Sequence, residues 1–160
     1  SSPIDGPWGS RSRRARLRPG CARGVASVPF VLDASAAIEA IAADEGGPVG
    51  AAVLERLRRD RAVVPAIWGA EVANAIRHGW RAGRLSEEAA RGMVDDLLAA
   101  PVDTAPPGEL RWSVVEAAKV TGLTAYDAAY LVLAVETGLE LATCDRDLRA
   151  AAERAGVTCI

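Results

Sequence analysis

The sequence predicts an α/β domain in which a short, mostly parallel sheet is covered by helices on both faces. Short apolar runs that suit buried strands alternate along the chain with longer segments that suit helices. The first run, Val28 to Leu32, is apolar at successive positions, which is typical of a central strand buried on both faces. Asp33 follows directly, and ligands of open α/β sheets bind beyond the carboxyl ends of such strands.

The first half of the chain contains residues that favour the start or the end of helices and strands. Val53, Leu54 and Leu57 form the apolar stripe of a surface helix, Pro65 cannot continue a central strand, and Gly83 ends a long helix. We therefore expect, after the first strand, a helix over 34–42, a turn over 44–48, a helix over 49–60, a strand over 61–65 and a helix over 67–81.

The second half continues the same alternation. Ser86 suits a helix N-cap, and Gly138 marks the end of another helix. We expect a helix over 87–100, a strand over 101–104, a rigid turn at 106–107, helices over 109–120 and 125–137, a strand over 139–144, a helix from 145 or 146 to 155, and a terminal strand over 157–160.

Residues 1–27 differ in composition from the rest of the chain. They are rich in Gly, Ser, Pro and Arg without apolar periodicity, which predicts a disordered basic segment ahead of one globular domain over 28–160. It suits a processed leader, a cloning remnant, out-of-frame upstream sequence or an RNA-binding arm. Its six arginines and one acid give residues 1–27 a net charge of +5. Because the whole chain has a net charge of −2, residues 28–160 have a net charge of −7. A domain this acidic does not bind polyanions through a generic basic face.

The cysteine count and the apolar runs indicate the compartment. Three cysteines without CxxC spacing argue against a disulfide framework or a zinc site and favour the reducing cytoplasm. No apolar run approaches the roughly 20 residues that span a bilayer, so we expect no membrane association. His78 is the only histidine, and a solvated or locally bonded role is expected for it rather than a place in a nucleophilic triad.

Four acids stand at strand ends or in the first turns of predicted helices. Asp33 and Asp145 follow the first and fourth strands, and Glu71 and Asp127 lie early in helices. Each has a purely structural explanation, because Asp33 or Asp145 can cap the next helix and Glu71 can be a solvated acid. Thr124 and Asp127 resemble a capping box. The apolar residues on both sides of Asp127 favour a shared site.

Convergence of these four carboxylates would require cations. Two carboxylates about 5 Å apart repel by roughly 3 kcal/mol at an effective dielectric constant of about 20. Oxygen-only ligands select Mg²⁺ or Mn²⁺ in preference to zinc. Such sites hydrolyse phosphodiesters by activating water and neutralising charge, and the bound metal lets an acidic pocket accept phosphate.

Four motifs, in order, resemble those of PIN-domain ribonucleases, in particular the VapC-type toxins of bacterial toxin–antitoxin pairs. They are Phe30–Ser35, Glu71–Asn74, Tyr126–Tyr130 and Thr143–Leu148, and together they span nearly all of 28–160. The resemblance implies a three-layer α/β/α sandwich around a short parallel sheet. It also implies an Mg²⁺- or Mn²⁺-dependent endoribonuclease that cleaves structured RNA such as tRNA or rRNA, forms a homodimer and is inhibited by a cognate VapB-like antitoxin.

Position by position, the resemblance implies roles for eight residues. The acids that match the family's catalytic and metal-binding quartet are Asp33, Glu71, Asp127 and Asp145. The matching supporting residues are Ser35, Asn74 and Thr143, with Asp147 as an extra acid. We expect the antitoxin to reach the acids with a basic side chain, since a guanidinium pairs with clustered carboxylates. Some basic residues follow no family motif and are left unassigned: Arg77, Arg81, Arg84 and Arg146.

The alternative is a PIN-like interaction module without catalysis, in which the acids are structural. Three tryptophans could anchor its interface, although burial is expected for at least one of them: Trp68, Trp80 and Trp112.

A receiver-type domain would need paired acids on the first strand and a late lysine, and a dehalogenase-like phosphatase would need Asp-x-Asp, which the sequence lacks at Asp33. The remaining acids singled out are assigned to solvated faces: Glu39, Asp44, Glu55, Asp60, Glu136, Glu140 and Glu153.

Overall fold

Four strands form one fully parallel sheet in the computed structural model, which describes residues 27–42, 46–106 and 111–160. They are β1 (Phe30–Leu32), β2 (Ala62–Val64), β3 (Val102–Thr104) and β4 (Leu141–Ala142). Their spatial order is β3-β2-β1-β4, so β2 and β3 extend the sheet to one side of β1 and β4 lies on the other. The boundary between β1 and β4 is therefore the topological switch point, where α/β sheets form ligand-binding crevices.

Seven helices connect and cover these strands in the described ranges. They are α1 (Ala34–Ile41), α2 (Pro48–Leu57), α3 (Trp68–Arg81), α4 (Glu87–Ala99), α5 (Trp112–Thr121), α6 (Ala125–Thr137) and α7 (Arg146–Arg154). The predicted caps form: the Ser86 hydroxyl accepts a hydrogen bond from the Ala89 backbone N–H, and Gly138 ends α6 with a left-handed φ of 67°.

Successive side chains of β1 point to opposite faces of the sheet and therefore pack into two different hydrophobic clusters. Phe30 and Leu32 pack with residues of α1 and α2, whereas Val31 packs with residues of α6 and α7. Helices thus cover both faces of the sheet, which confirms the predicted three-layer α/β/α sandwich. Each fully buried Leu or Phe contributes roughly 1.5–3 kcal/mol to folding. Trp68 contacts three of the core clusters, which confirms that at least one tryptophan is used for packing.

A buried ion pair fixes the start of β1 and overturns one prediction. Asp60, expected on a solvated face, is only 9% exposed, and its carboxylate accepts from Arg56 Nε at 2.7 Å and from the Val28 backbone N–H at 3.1 Å. Arg56 also pairs with Glu140 and lies over the Phe30 ring, 5.0 Å from its centroid. A carboxylate this buried requires such a partner, because an unpaired buried charge is strongly destabilising.

The predicted fourth strand and terminal strand are both shorter than expected. Only Leu141–Ala142 forms β4, and 157–160 contributes a single parallel bridge, between Leu141 and Cys159. Several predicted features lie wholly or partly outside the described residues: most of the basic segment 1–27, Asp44 at the start of the predicted turn, and residues 107–110 with the predicted start of a helix. Among the helices that are described, none has the length and apolar character of a membrane span.

Candidate active site

Sheet register places Asp33 beside Thr143. Leu32 pairs with Ala142, so the next residue of each strand leaves the sheet at the same edge. The Thr143 hydroxyl donates to Asp33 Oδ2 at 2.7 Å, and the Ser35 hydroxyl donates to the same oxygen. Asp33 occupies the N-cap position of α1 but makes no side-chain capping bond there. Its carboxylate, 5% exposed, is therefore held by two hydroxyls at the switch point.

The same two hydroxyls hold the loop that follows β4. Ser35 Oγ accepts from the Cys144 backbone N–H, and Thr143 Oγ1 accepts from the Asp145 backbone N–H, both at 3.0 Å. Ser35 and Thr143, predicted as supporting residues, thus link Asp33 to the Asp145 backbone. Their role as supporting residues of a metal site stays a prediction.

Asp145 lies at the N-terminus of α7 and caps it, as its structural explanation predicts. Its Oδ1 accepts from the backbone N–H groups of Asp147 at 2.9 Å and Leu148 at 2.8 Å. The side chain is exposed, and the contact of Asp145 with the Asp33 network is made by its backbone N–H. Asp147 is also exposed, and its hydrogen bond to Asp145 comes from its backbone. Capping does not prevent Asp145 from binding a cation, because a carboxylate has two oxygens.

Glu71 is oriented by Tyr130, which ends one of the four motifs but has no role predicted from the sequence. Tyr130 is fully buried, and its hydroxyl donates to Glu71 Oε2 at 2.5 Å. Tyr130 lies one turn after Asp127 on α6, so the two helices α3 and α6 bring Glu71 and Asp127 to one region. The sequence contains one signal that could have indicated this contact. Tyr130 follows Asp127 by one helical turn, and the residues around it in the helix are apolar.

Asp127 forms hydrogen bonds with Thr124, the N-cap residue of α6. Thr124 Oγ1 accepts from the Asp127 backbone N–H at 3.1 Å and donates to Asp127 Oδ2 at 2.7 Å. The capping prediction is therefore right for Thr124. The Asp127 carboxylate departs from the capping-box pattern because it accepts from the threonine hydroxyl.

Three of the four predicted acids are coupled electrostatically. Burial raises the pKa of Asp33, and the charge of Asp127 raises it further against the opposing effect of the Ser35 and Thr143 hydrogen bonds. Burial also raises the pKa of Glu71, as do the charges of Asp33 and Asp127, whereas the Tyr130 hydrogen bond lowers it. The pKa of Tyr130 is raised by burial and by Glu71, so its hydroxyl stays a neutral donor. Asp33, Glu71 and Asp127 therefore share one region of negative potential.

This negative region has no cationic partner in the described part of the chain. The ion pairs formed there leave out Asp33, Glu71, Asp127 and Asp145. Carboxylates and hydroxyls are the donors that Mg²⁺ and Mn²⁺ prefer. The side chains do not form a ready-made cage, since no three His, Cys, Asp or Glu residues of the described ranges are grouped closely enough to hold one ion. The chemistry of the carboxylate and hydroxyl donors nevertheless fits a hard divalent cation.

Asn74, predicted as a supporting residue, makes its contacts away from the acids. It is exposed on α3, and its Oδ1 accepts from Arg77 Nε at 3.2 Å and from an Arg77 terminal nitrogen at 2.9 Å. Its backbone carbonyl lies 3.0 Å from His78 Nδ1, which confirms the locally bonded histidine. The structure thus joins Asn74 to a basic group rather than to Glu71.

Glu39 is a second acid wrongly assigned to a solvated face. It is half-buried on α1, one turn after Ser35, and its Oε2 accepts from the Gly50 backbone N–H at 3.1 Å and from Cys144 Sγ at 2.7 Å. Burial, the Glu39 hydrogen bond and the Glu39 charge raise the pKa of the Cys144 thiol to about 12. Cys144 is therefore a neutral donor that ties the loop after β4 to α1.

Comparison with known proteins agrees with this geometry. The PIN domain family model matches residues 30–154. Ribonuclease VapC12 of Mycobacterium tuberculosis, found in two strains, is 35% identical over 116 residues, which cover 72% of this chain and 86% of that protein. The crystal structure of PAE2754 from Pyrobaculum aerophilum superimposes with a TM-score of 0.62 at 28% identity, covering 82% of this chain and 83% of that one. The chain therefore belongs to the PIN-domain family and, within it, to the VapC-type ribonucleases.

Proposed function

We propose that this chain is a metal-dependent endoribonuclease that hydrolyses RNA phosphodiester bonds as the toxin of a toxin–antitoxin pair. The observation that carries the proposal is the buried Asp33 carboxylate, coupled to Glu71 and Asp127 without a cationic partner among the described residues. Buried carboxylates that repel one another are retained where a cation or a reaction needs them. The name of the Mycobacterium tuberculosis relative supports ribonuclease activity.

Four acids would hold Mg²⁺ or Mn²⁺ in this proposal: Asp33, Glu71, Asp127 and Asp145. When bound, the cation would neutralise charge on a phosphoryl oxygen and lower the pKa of a water molecule. Ser35 and Thr143 fix one oxygen of Asp33, and Tyr130 fixes one oxygen of Glu71, which leaves the other carboxylate oxygens for the cation. Such second-layer hydrogen bonds orient metal ligands.

The partners in this proposal follow from the family to which the chain belongs. We expect a structured RNA such as tRNA or rRNA as substrate, a homodimer as the active form, and a cytoplasmic location. A cognate VapB-like antitoxin would block the acids with a basic side chain, because a guanidinium can replace the cation between carboxylates. An antitoxin complex in which no arginine or lysine approaches Asp33 or Asp145 would contradict this last expectation.

The decisive experiment replaces single carboxylates by amides. Asp33→Asn and Asp127→Asn should abolish Mg²⁺-dependent cleavage of bulk tRNA while circular dichroism shows a folded protein. Asp103→Asn is the matched control, because Asp103 is an exposed acid whose carboxylate pairs with Arg61 on the sheet edge. Its activity should equal that of the wild type. Undiminished cleavage by the Asp33 and Asp127 variants would instead favour a non-catalytic PIN-like interaction module.

A further inference from the structure

The arginines of the described ranges differ in their partners. Arg149 donates to the Thr143 and Ile160 carbonyl oxygens, and Arg146 and Arg154, on α7, form no ion pair in these ranges. In one group every guanidinium pairs with a carboxylate, and its members are Arg56, Arg58, Arg59, Arg61, Arg91 and Arg111. On α3 and in the turn after it, Arg77, Arg81 and Arg84 form no ion pair with any residue of the described ranges. Their charge is therefore available to a ligand.

The sequence between Glu71 and Glu87 contains no acidic residue beside these three arginines. Residues 72–85 include three arginines and one histidine and no acidic residue, within a domain that is acidic overall. Asn74, Arg77, His78, Arg81 and Arg84 are all exposed. We refer to these five residues as the α3 arginine face. A local excess of positive charge of this kind attracts phosphate groups.

Arg77 is held in a fixed position by neutral groups. Its guanidinium donates twice to Asn74 Oδ1, at 3.2 and 2.9 Å, and lies 3.3 Å from His78 Nε2. His78 Nδ1 lies 3.0 Å from the Asn74 carbonyl oxygen, which can only accept. None of these contacts brings a carboxylate to the Arg77 guanidinium. The network therefore orients the Arg77 charge without cancelling it.

Helical geometry connects this face to the acids. Glu71, Asn74, His78 and Arg81 are spaced three, four and three residues apart, so they share one side of α3. At a rise of 1.5 Å per residue, Arg77 lies about 9 Å and Arg81 about 15 Å along the axis from Glu71. A nucleic acid strand with one phosphate at Glu71 would place neighbouring phosphates along these side chains.

We infer that the α3 arginine face binds the phosphate backbone of the RNA beside the carboxylates. The inference rests on the proposed ribonuclease function. It explains how an acidic domain retains a polyanion: the acids repel the strand, and an adjacent row of uncancelled guanidinium groups offsets that repulsion. It also gives Asn74 a role, as the residue that positions Arg77.

RNA binding and its salt dependence test the inference. Arg77→Ala and Arg81→Ala, each in an Asp33→Asn background that is silent for cleavage, should weaken binding of fluorescent bulk tRNA on the order of three- to tenfold. Each should also reduce the slope of log affinity against log salt concentration by about one. Asn74→Ala, which keeps every charge, should weaken binding less and leave the slope unchanged.

Arg58→Ala is the matched control. Arg58 is an exposed helical arginine whose charge Glu55 already offsets at 3.0 Å, so its removal should leave RNA affinity unchanged. Wild-type affinity and slope in both the Arg77 and Arg81 variants would overturn the inference. So would unchanged tRNA binding together with weakened binding of a polyglutamate peptide, which would assign the face to an acidic protein. Absence of cleavage by the otherwise wild-type chain would instead overturn the proposed function.

Discussion

Replacing Tyr130 with phenylalanine removes one hydroxyl from the interior and leaves the ring in place. Tyr130 is fully buried among residues of β1, α6 and α7, so the variant should keep the packing of this core. A hydrogen bond to a charged group contributes roughly 1.5–3 kcal/mol, and since Glu71 is only half-buried and water can replace part of the bond, we expect a loss of about 1 kcal/mol. Loss of a residue that orients a metal ligand lowers metal affinity by about 10- to 100-fold.

Urea unfolding and Mg²⁺ titration separate the two effects. The free energy of unfolding reports the lost hydrogen bond, and calorimetric Mg²⁺ binding, together with the Mg²⁺ concentration for half-maximal cleavage, reports the orientation of Glu71. Tyr126→Phe is the matched control, because Tyr126 precedes Tyr130 by four residues on α6 and is 59% exposed. Wild-type Mg²⁺ affinity in the Tyr130 variant would refute the reasoning, even if stability fell.

Two further predictions concern stability. Because burial raises the pKa of Asp33 above 3.8, the folded state favours the neutral acid, and this stabilisation is present below pH 3.8 and lost as the pH rises through the raised pKa. In thermal unfolding with EDTA, the midpoint of Asp33→Asn should therefore rise relative to wild type as the pH increases over this range, and a pH-independent difference would contradict the assignment. Gly50→Ala would place a methyl group 2.7 Å from the Glu39 carbonyl, where α1 and α2 meet, and should cost about 1–3 kcal/mol. The same change at Gly92, in α4 with nothing within 4 Å, should stabilise by about 0.5–1 kcal/mol, and urea unfolding midpoints that move in the same direction for both would argue against this packing.

Helix capping and the predicted site roles do not exclude each other for several residues. Asp145 caps α7 and still lies beside the hydroxyl network of Asp33, and Thr124 caps α6 while binding the Asp127 carboxylate. The sequence presented capping and a shared site as alternatives. A carboxylate has two oxygens and a hydroxyl both donates and accepts, so one side chain can serve both.

The wrong assignments share a physical cause. Glu39 and Asp60 were placed on solvated faces because charged residues are usually exposed, yet Asp60 pairs with Arg56 and Glu39 accepts from Cys144. Arg56 is a local partner, but the Val28 backbone that covers Asp60 is 32 residues away and Cys144 is 105 residues from Glu39. Neither periodicity nor spacing reports which distant side chain arrives beside a given position, so burial of a single acid is invisible in sequence.

The sequence by itself determined the parallel α/β layers and the placement of acids at strand ends and helix starts. Both depend on local properties: the period of apolar residues, the position of caps, and glycine at helix ends. Only the tertiary structure decided which oxygens meet. Thr143 reaches Asp33 across 110 residues, and Tyr130 reaches Glu71 across 59. Such contacts depend on strand order, register and the rotation of each helix about its axis, and those are set by packing of the whole core.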